Sequence, residues 1–233
     1  MQLGEAGREA ERIKDAYARR SGGGRYDWSN PAYAFAMHDV ERRLRTALQR
    51  AGRWPLSGQR ILDVGCGSGG WMRRLIAWGA RPERTTGIDL LADRLRDAVR
   101  LSPGRTGFTC GSALQLPYRD GTFDLLLQFT VFTSILDLGL RQRVAREMAR
   151  VLAPGGAIVW YDFRVGNPRN PDVRAVPARE VRALFPGFGG DLASVTLAPP
   201  LARAVAPWST GLCAILQLVP FLRTHYLGVL SRT

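Results

Sequence analysis

Hydrophobic and polar positions along the chain follow two rhythms. Residues 5–20 are highly charged with weak helical amphipathy and predict a helix, and Ser21 to Gly24 then read as a flexible joint. Asn30 and Pro31 supply an N-cap and a first-turn proline, after which Tyr33, Met37, Val40, Leu44 and Leu48 recur at helical spacing as far as Gly52. This second helix packs through a single apolar stripe. From Arg60 onward, short apolar runs alternate with helical periods, as expected of βαβ units and a parallel sheet. Strands are predicted at 60–64, 85–89, 107–110, 123–128 and 157–163, with helices near 70–79, 91–100 and 138–152. The last of these helices carries Leu136, Leu140, Val144, Met148 and Val151 at helical spacing and stops at the turn from Pro154 to Gly156. The tail reads as a helix at 178–185, a strand at 192–197, a helix near 209–218 and a strand at 224–230.

A chain of 233 residues, 45% hydrophobic, suffices for one well-buried core and a small appendage. The expected division is a helical N-terminal cap over 1–55 and a ligand-binding α/β domain over 56–233. The aromatic cluster Tyr26, Trp28, Tyr33 and Phe35 behind the glycine joint suits a lid. The N-terminus lacks the apolar core of a signal peptide, and the apolar stretch from Gly211 to Leu222 is interrupted by Gln217 and Pro220. No membrane span is expected, and the chain reads as cytoplasmic. Three widely separated cysteines, Cys66, Cys110 and Cys213, point to reduced thiols and to no metal site.

The net charge of +13 raises the question of nucleic acid. The excess is spread evenly along the chain and is almost all arginine, Lys14 being the only lysine, so no phosphate-binding stripe is formed. A nucleic-acid partner is therefore not expected. Peripheral membrane contact stays open for the basic, apolar C-terminal third, and oligomeric state is not readable.

The first predicted strand runs into ILDVGCGSGG, a turn whose missing side chains let a ligand lie against backbone N–H groups. Gly65, Gly67 and Gly70 also satisfy a dinucleotide-binding fingerprint, which leaves a nicotinamide-dependent dehydrogenase as an alternative. Asp63 separates the two readings: a carboxylate two residues before the first glycine suits an ammonium and a sulfonium and would repel a pyrophosphate. Asp89 ends the second strand, where a ribose diol needs an acceptor.

Taken in order over residues 60–165, LDVGCGSG, GIDL, GSALQLP, FDLLLQF and RVLAPGG resemble the class I S-adenosylmethionine-dependent methyltransferases, particularly the group acting on small molecules. The resemblance implies a doubly wound, seven-stranded, mostly parallel sheet with one antiparallel strand, and S-adenosylmethionine across the carboxyl ends of the first, second and fourth strands. It assigns the methionine moiety to Asp63, Gly65 and Gly67, with Cys66 a small residue inside the loop. Asp89 takes the ribose, Leu90 one adenine face, Ser112 and Ala113 the adenine edge, and Gln128 and Phe129 the surroundings of the methyl group. Ser112 departs from the pattern by standing where many relatives carry an acid. QFTV after the fourth strand counts against the branches that methylate adenine N6 or glutamine. The expected activity is methyl transfer to a small-molecule acceptor, with oxygen preferred; an RNA methyltransferase is the alternative that the charge favours, and a non-catalytic cofactor-binding or membrane-surface protein is a further one.

Two histidines, His38 and His225, are the candidate bases. In the implied topology the final strand begins beside the end of the fifth, so His225 and Asp162 are expected to form an oriented pair at the acceptor site.

Overall fold

A computed structural model of the chain describes residues 4–20, 28–167 and 170–233. The joint at 21–24 and Tyr26 lie outside the described residues.

The parallel strands are β1 (Ile61–Val64), β2 (Thr85–Asp89), β3 (Gly107–Cys110), β4 (Phe123–Phe129) and β5 (Leu152–Phe163). They are followed by β6 (Phe188–Gly189), β7 (Ala193–Leu197) and β8 (Arg223–Arg232). Their order is β3-β2-β1-β4-β5-β8-β6, with β7 also on β8 and β8 antiparallel to its neighbours. The sheet thus has eight strands where seven were expected, because the penultimate strand is broken in two. Both pieces pair with the same edge of β8: Phe188 lies opposite Arg232, and Ala193 opposite Leu227. At the break Gly190 has φ +142°, and a side chain there would run into the Val229 carbonyl. β5 also begins earlier than the pattern suggested. Leu152 pairs with Phe123, the register then shifts, and the proline-glycine turn sits inside the strand as an irregularity.

Helices cover both faces. On one side lie α1 (Glu5–Arg20), α5 (Leu138–Val151) and α6 (Ala178–Leu184); on the other lies α2 (Pro31–Arg50). α3 (Gly70–Ala77) and α4 (Ala92–Leu101) follow β1 and β2, while α7 (Pro199–Val205) and α8 (Thr210–Gln217) precede β8. The sequence pattern did not show α7, a short helix without a side-chain cap. In α2 the predicted stripe is real: Val40, Leu44 and Leu48 are fully buried against Leu125, Leu127 and Val159 of the sheet. Burial of each leucine is worth about 1.5–3 kcal/mol, which fastens α2 onto this face of the sheet.

Strand alternation decides a further point. Phe163 is the register partner of His225, and Tyr161 stacks on the His225 ring at 4.7 Å, so these three share the α2 face. Asp162 points to the opposite face. The expected pairing of His225 with Asp162 is therefore corrected, since the sheet stands between them. Asp162 is instead a structural clamp, accepting hydrogen bonds from the N–H of Phe163 (2.8 Å) and of Thr133 (3.1 Å) and so tying the segment after β4 to β5. The fully buried Arg141 holds the same segment by donating to the Ile135 carbonyl at 2.7 Å, and pairs with Glu180 at 2.5 Å.

Burial pushes the Asp162 carboxyl up to about 7, against the lowering effect of those two N–H groups and Arg141. With the folded-state value above the unfolded one, its stabilising contribution is complete below about pH 4 and is lost as pH rises to about 7, a change of roughly 4 kcal/mol. Asp162→Asn should remove this slope: urea unfolding should show the variant gaining on the wild type from pH 4 to 7 and no further above that. A stability difference that stays flat across the range would mean that Asp162 is ionised in the folded protein.

Candidate functional site

At the carboxyl end of β1 the chain turns through Gly65 (φ +71°), Gly67 (φ +53°) and Gly69 (φ +74°) into α3. A Cβ on Gly65 would lie 2.6 Å from a Val131 methyl, so only glycine lets the loop approach the segment after β4. The N–H groups of Gly65 and Cys66 both donate to the Ile88 carbonyl, at 2.8 and 3.1 Å, which sets the loop against β2.

Asp89 completes this arrangement. One carboxylate oxygen accepts from the Gly67 N–H at 2.8 Å, and the other accepts from the Leu91 N–H at 2.8 Å. Each oxygen retains a second acceptor site, which leaves the carboxylate able to take a diol as well. Asp63 is buried beneath the loop and forms no hydrogen bond or ion pair with any described residue. Burial, and then the charge of Asp89, raise its carboxyl well above the usual carboxylate range. A buried acid without a cationic partner is costly, and an ammonium group placed on it relieves that cost.

Gly65 and Asp89 border a cavity at this end of the sheet, whereas Asp63 and Gly67 are not part of its wall. Of the predicted residues, Gly65, Asp89, Leu90, Ser112, Ala113 and Phe129 line it. Ser112 also accepts from the Leu114 N–H at 3.2 Å, fixing the turn after β3. Cys66 is turned away: its sulfur packs into the space left by the missing side chain of Gly87. Burial, followed by the nearby Asp63 and Asp89 charges, raises its thiol pKa, so the thiol is inert. Gln128 is fully buried rather than exposed to the cavity, and accepts from the Val131 N–H at 3.3 Å.

Neither histidine reaches the cavity wall. His38 is exposed on α2 with its ring 5.3 Å from that of Trp28. His225 is buried between Tyr161 and Phe163, its Nδ1 3.0 Å from the Thr224 hydroxyl, and burial pushes it down to about 3. Around neutral pH this imidazole is uncharged and does not take up a proton.

The far wall comes from the N-terminal segment expected to act as a cap, although the sequence reading singled out none of the residues that form it. Glu9, Ile13 and Tyr17 of α1 line the cavity, and Arg94 of α4 faces Tyr17 across its mouth, 5.1 Å above the ring. The helix is tied down at several points. Glu9 accepts from the Leu136 N–H at 2.7 Å, Arg12 donates to the Ser134 carbonyl at 2.5 Å, and Arg19 pairs with Asp172 at 3.0 Å. Burial raises the Glu9 carboxyl, but the hydrogen bonds from Arg12 and Leu136 outweigh it and hold the group below its usual value. In sequence, Glu9 and Arg12 look like an ordinary solvated i,i+3 pair. A signal existed only in the helix's position ahead of the glycine joint.

The residues present suit S-adenosylmethionine. A carboxylate able to take a diol and the apolar Leu90 and Ala113 stand in one cavity, with a second buried acid, Asp63, close behind the glycine loop. The comparisons with known proteins agree. Residues 61–156 match the family described as "Methyltransferase domain". Demethylmenaquinone methyltransferase of Listeria welshimeri is 30% identical over 169 residues, spanning 70% of this chain and 67% of the relative. Methyltransferase GfsG of Streptomyces halstedii is 38% identical over 117 residues, spanning 47% of this chain but only 39% of that longer protein. Among solved structures, Burkholderia thailandensis 1,6-didemethyltoxoflavin-N1-methyltransferase, with its substrate and S-adenosylhomocysteine bound, superimposes at a TM-score of 0.68 and 17% identity, covering 100% of this chain and 92% of that one. The chain belongs to the class I S-adenosylmethionine-dependent methyltransferases.

Proposed function

We propose that the protein transfers a methyl group from S-adenosylmethionine to an oxygen of a small-molecule acceptor, and does so by alignment, without a protein base. The bound cofactor supplies a methyl group activated by its sulfonium. Asp63 and Asp89 hold its two polar ends, the glycine loop fixes its height above the strands, and α1 with Ile13 and Tyr17 keeps water from the cavity. Effective alignment of donor and acceptor is itself worth several kcal/mol of the barrier. Demethylmenaquinone and 1,6-didemethyltoxoflavin, the compounds in two similar proteins' names, support an acceptor that is not a macromolecule.

The observation that carries the base-free reading is the state of the titratable groups. Among the described residues lining the cavity, the carboxylates Glu9 and Asp89 are each engaged by N–H donors, and neither His225 nor Asp162 lies there. A hydroxyl attacked under these conditions must be acidic in its own right, as a phenol or an enol is. Replacing His225 by Phe preserves the ring stack and should leave turnover within a few fold in a labelled-methyl assay over metabolite extracts. A loss of ~10²-fold or more, with cofactor affinity unchanged, would restore His225 as the base.

The cofactor site has two calorimetric tests. Asp89→Ala should weaken S-adenosylhomocysteine by about 1.5–3 kcal/mol, the worth of hydrogen bonds to a charged group, with a folded variant of unchanged affinity counting against the ribose assignment. Burial and the Asp89 charge raise the Asp63 carboxyl, and an ammonium set against it would lower it again, so binding should release protons. Affinity therefore rises with pH above the ordinary carboxylate range, and binding enthalpy depends on the buffer's ionisation enthalpy. Asp63→Asn should abolish both effects; their persistence in that variant would place the proton elsewhere.

A further inference from the structure

From Ala204 to Leu222 the chain carries no charged residue. This segment covers the end of α7, all of α8 and the turn into β8. α8 has an inward stripe, where Cys213 and Gln217 are buried; Gln217 donates to the Asp39 carboxylate at 2.5 Å and accepts from the Leu197 N–H at 3.1 Å. Its outward stripe is equally apolar. Leu212, Ile215 and Leu218 recur every three residues at 46%, 63% and 71% exposure. Trp208, at 89%, and Phe221, at 81%, stand at the two ends of the same stretch. Five large apolar side chains gathered in one short segment mark an interaction surface, whereas scattered ones would not.

The charges flanking this patch all have one sign. Arg203 is exposed in the last turn of α7, and Arg164 and Arg223 sit at the other end. Arg164 donates to the carbonyls of Pro220 and Arg223 at 3.2 and 2.9 Å, and Arg223 donates to those of Gln217 and Leu218 at 2.6 and 2.9 Å. None of the three is ion-paired with a carboxylate of the described residues, so each keeps an uncompensated charge at the edge of the patch. A second copy of the chain would bring these cations against their equals. Among the described residues no helix is long and apolar enough to cross a membrane, so the segment lies on a surface instead of spanning it.

We propose that α8 and its flanking turns form a docking surface for an anionic lipid bilayer. Trp208 and Phe221 seat at the headgroup level, Leu212, Ile215 and Leu218 enter the acyl boundary, and the three arginines meet the acidic headgroups. α8 is held in place from behind by the Gln217–Asp39 bond to α2, so the face is presented preformed. β8 begins at Arg223 beside the end of β5, which puts the docking face at the carboxyl end of the sheet, the end that carries the cofactor cavity. The proposal concerns a surface remote from the cofactor contacts and stands or falls independently of the transfer reaction.

The test is co-sedimentation of the full chain with vesicles of phosphatidylcholine alone and of phosphatidylcholine mixed with phosphatidylglycerol, at low and at high salt. Binding should be at least ~10-fold stronger to the anionic vesicles and should weaken as salt screens the arginines. The double variant Ile215→Glu, Leu218→Glu should lose ~10-fold or more of that binding while keeping its affinity for S-adenosylhomocysteine, and Arg203→Gln should lose roughly five-fold. The Trp208 emission, taken as the difference between wild type and Trp208→Phe, should shift to the blue on anionic vesicles. Failure of the wild type to bind either vesicle overturns the proposal, as does undiminished binding of the double variant. Concentration-dependent self-association that this double variant abolishes, without lipid binding, would assign the face to a second copy of the chain and equally overturn it.

Discussion

Two carboxylates held out of water at the ends of neighbouring parallel strands, Asp63 on β1 and Asp89 on β2, are the constraint around which the site is organised. Their roles are unequal. Asp89 has its charge compensated by two backbone N–H groups, and by accepting them it sets both the glycine loop and the start of α4. Asp63 has no such compensation, and the nearby Asp89 charge adds to the cost of ionising it. The pair therefore combines an acid whose hydrogen bonds shape the loop with one that burial and its neighbour make costly to ionise until a cation meets it. That asymmetry suits a ligand with a ribose at one end and an ammonium at the other better than a dinucleotide, whose pyrophosphate would meet two acids. Gly87 makes the arrangement sterically feasible, because a side chain there would displace Cys66 and Met72 from beneath the loop.

The same end of the sheet separates aromatic from polar work by strand alternation. On the α2 face, Trp71 stacks on Phe129 at 4.2 Å, Phe129 lies 5.2 Å from Tyr161, and Tyr161 stacks on His225. On the other face, Asp162 and Arg141 fasten the segment that follows β4, which in turn anchors α1 through Ser134 and Leu136. The acid therefore serves the cover of the cavity, while the imidazole serves a row of rings. Neither is placed to move a proton from an acceptor.

What could be read from the residues alone was whatever local patterns encode. The glycine loop, the acid ending β2 and the α2 stripe Val40, Leu44 and Leu48 all lie where spacing put them, because each depends on neighbours close in sequence. What could not be read depends on register or on distant partners. The split of the penultimate strand turns on Gly190 meeting Val229, and the early start of β5 on Leu152 meeting Phe123. The pairing of His225 with Asp162 failed for the same reason: nearness of two strand ends was legible, but facing was not. One residue of register moves a side chain across the sheet. α1 was legible as a helix and as part of a cap, but not in the residues that fasten it, since Glu9 and Arg12 show their purpose only against Ser134 and Leu136.

α1 and α8 are held to the domain by different means. α1 lies over the cavity through two hydrogen bonds to backbone, a partly exposed ion pair, and the packing of Ala6 and Ile13 against the core. Polar contacts of that kind are worth about 1 kcal/mol each. α2, by contrast, is held by fully buried leucines and a valine, and α8 is bonded to it through Gln217. α1 thus adds polar ties to a few apolar contacts at the cavity, while α2 and, through it, α8 are fixed to the sheet by fully buried side chains.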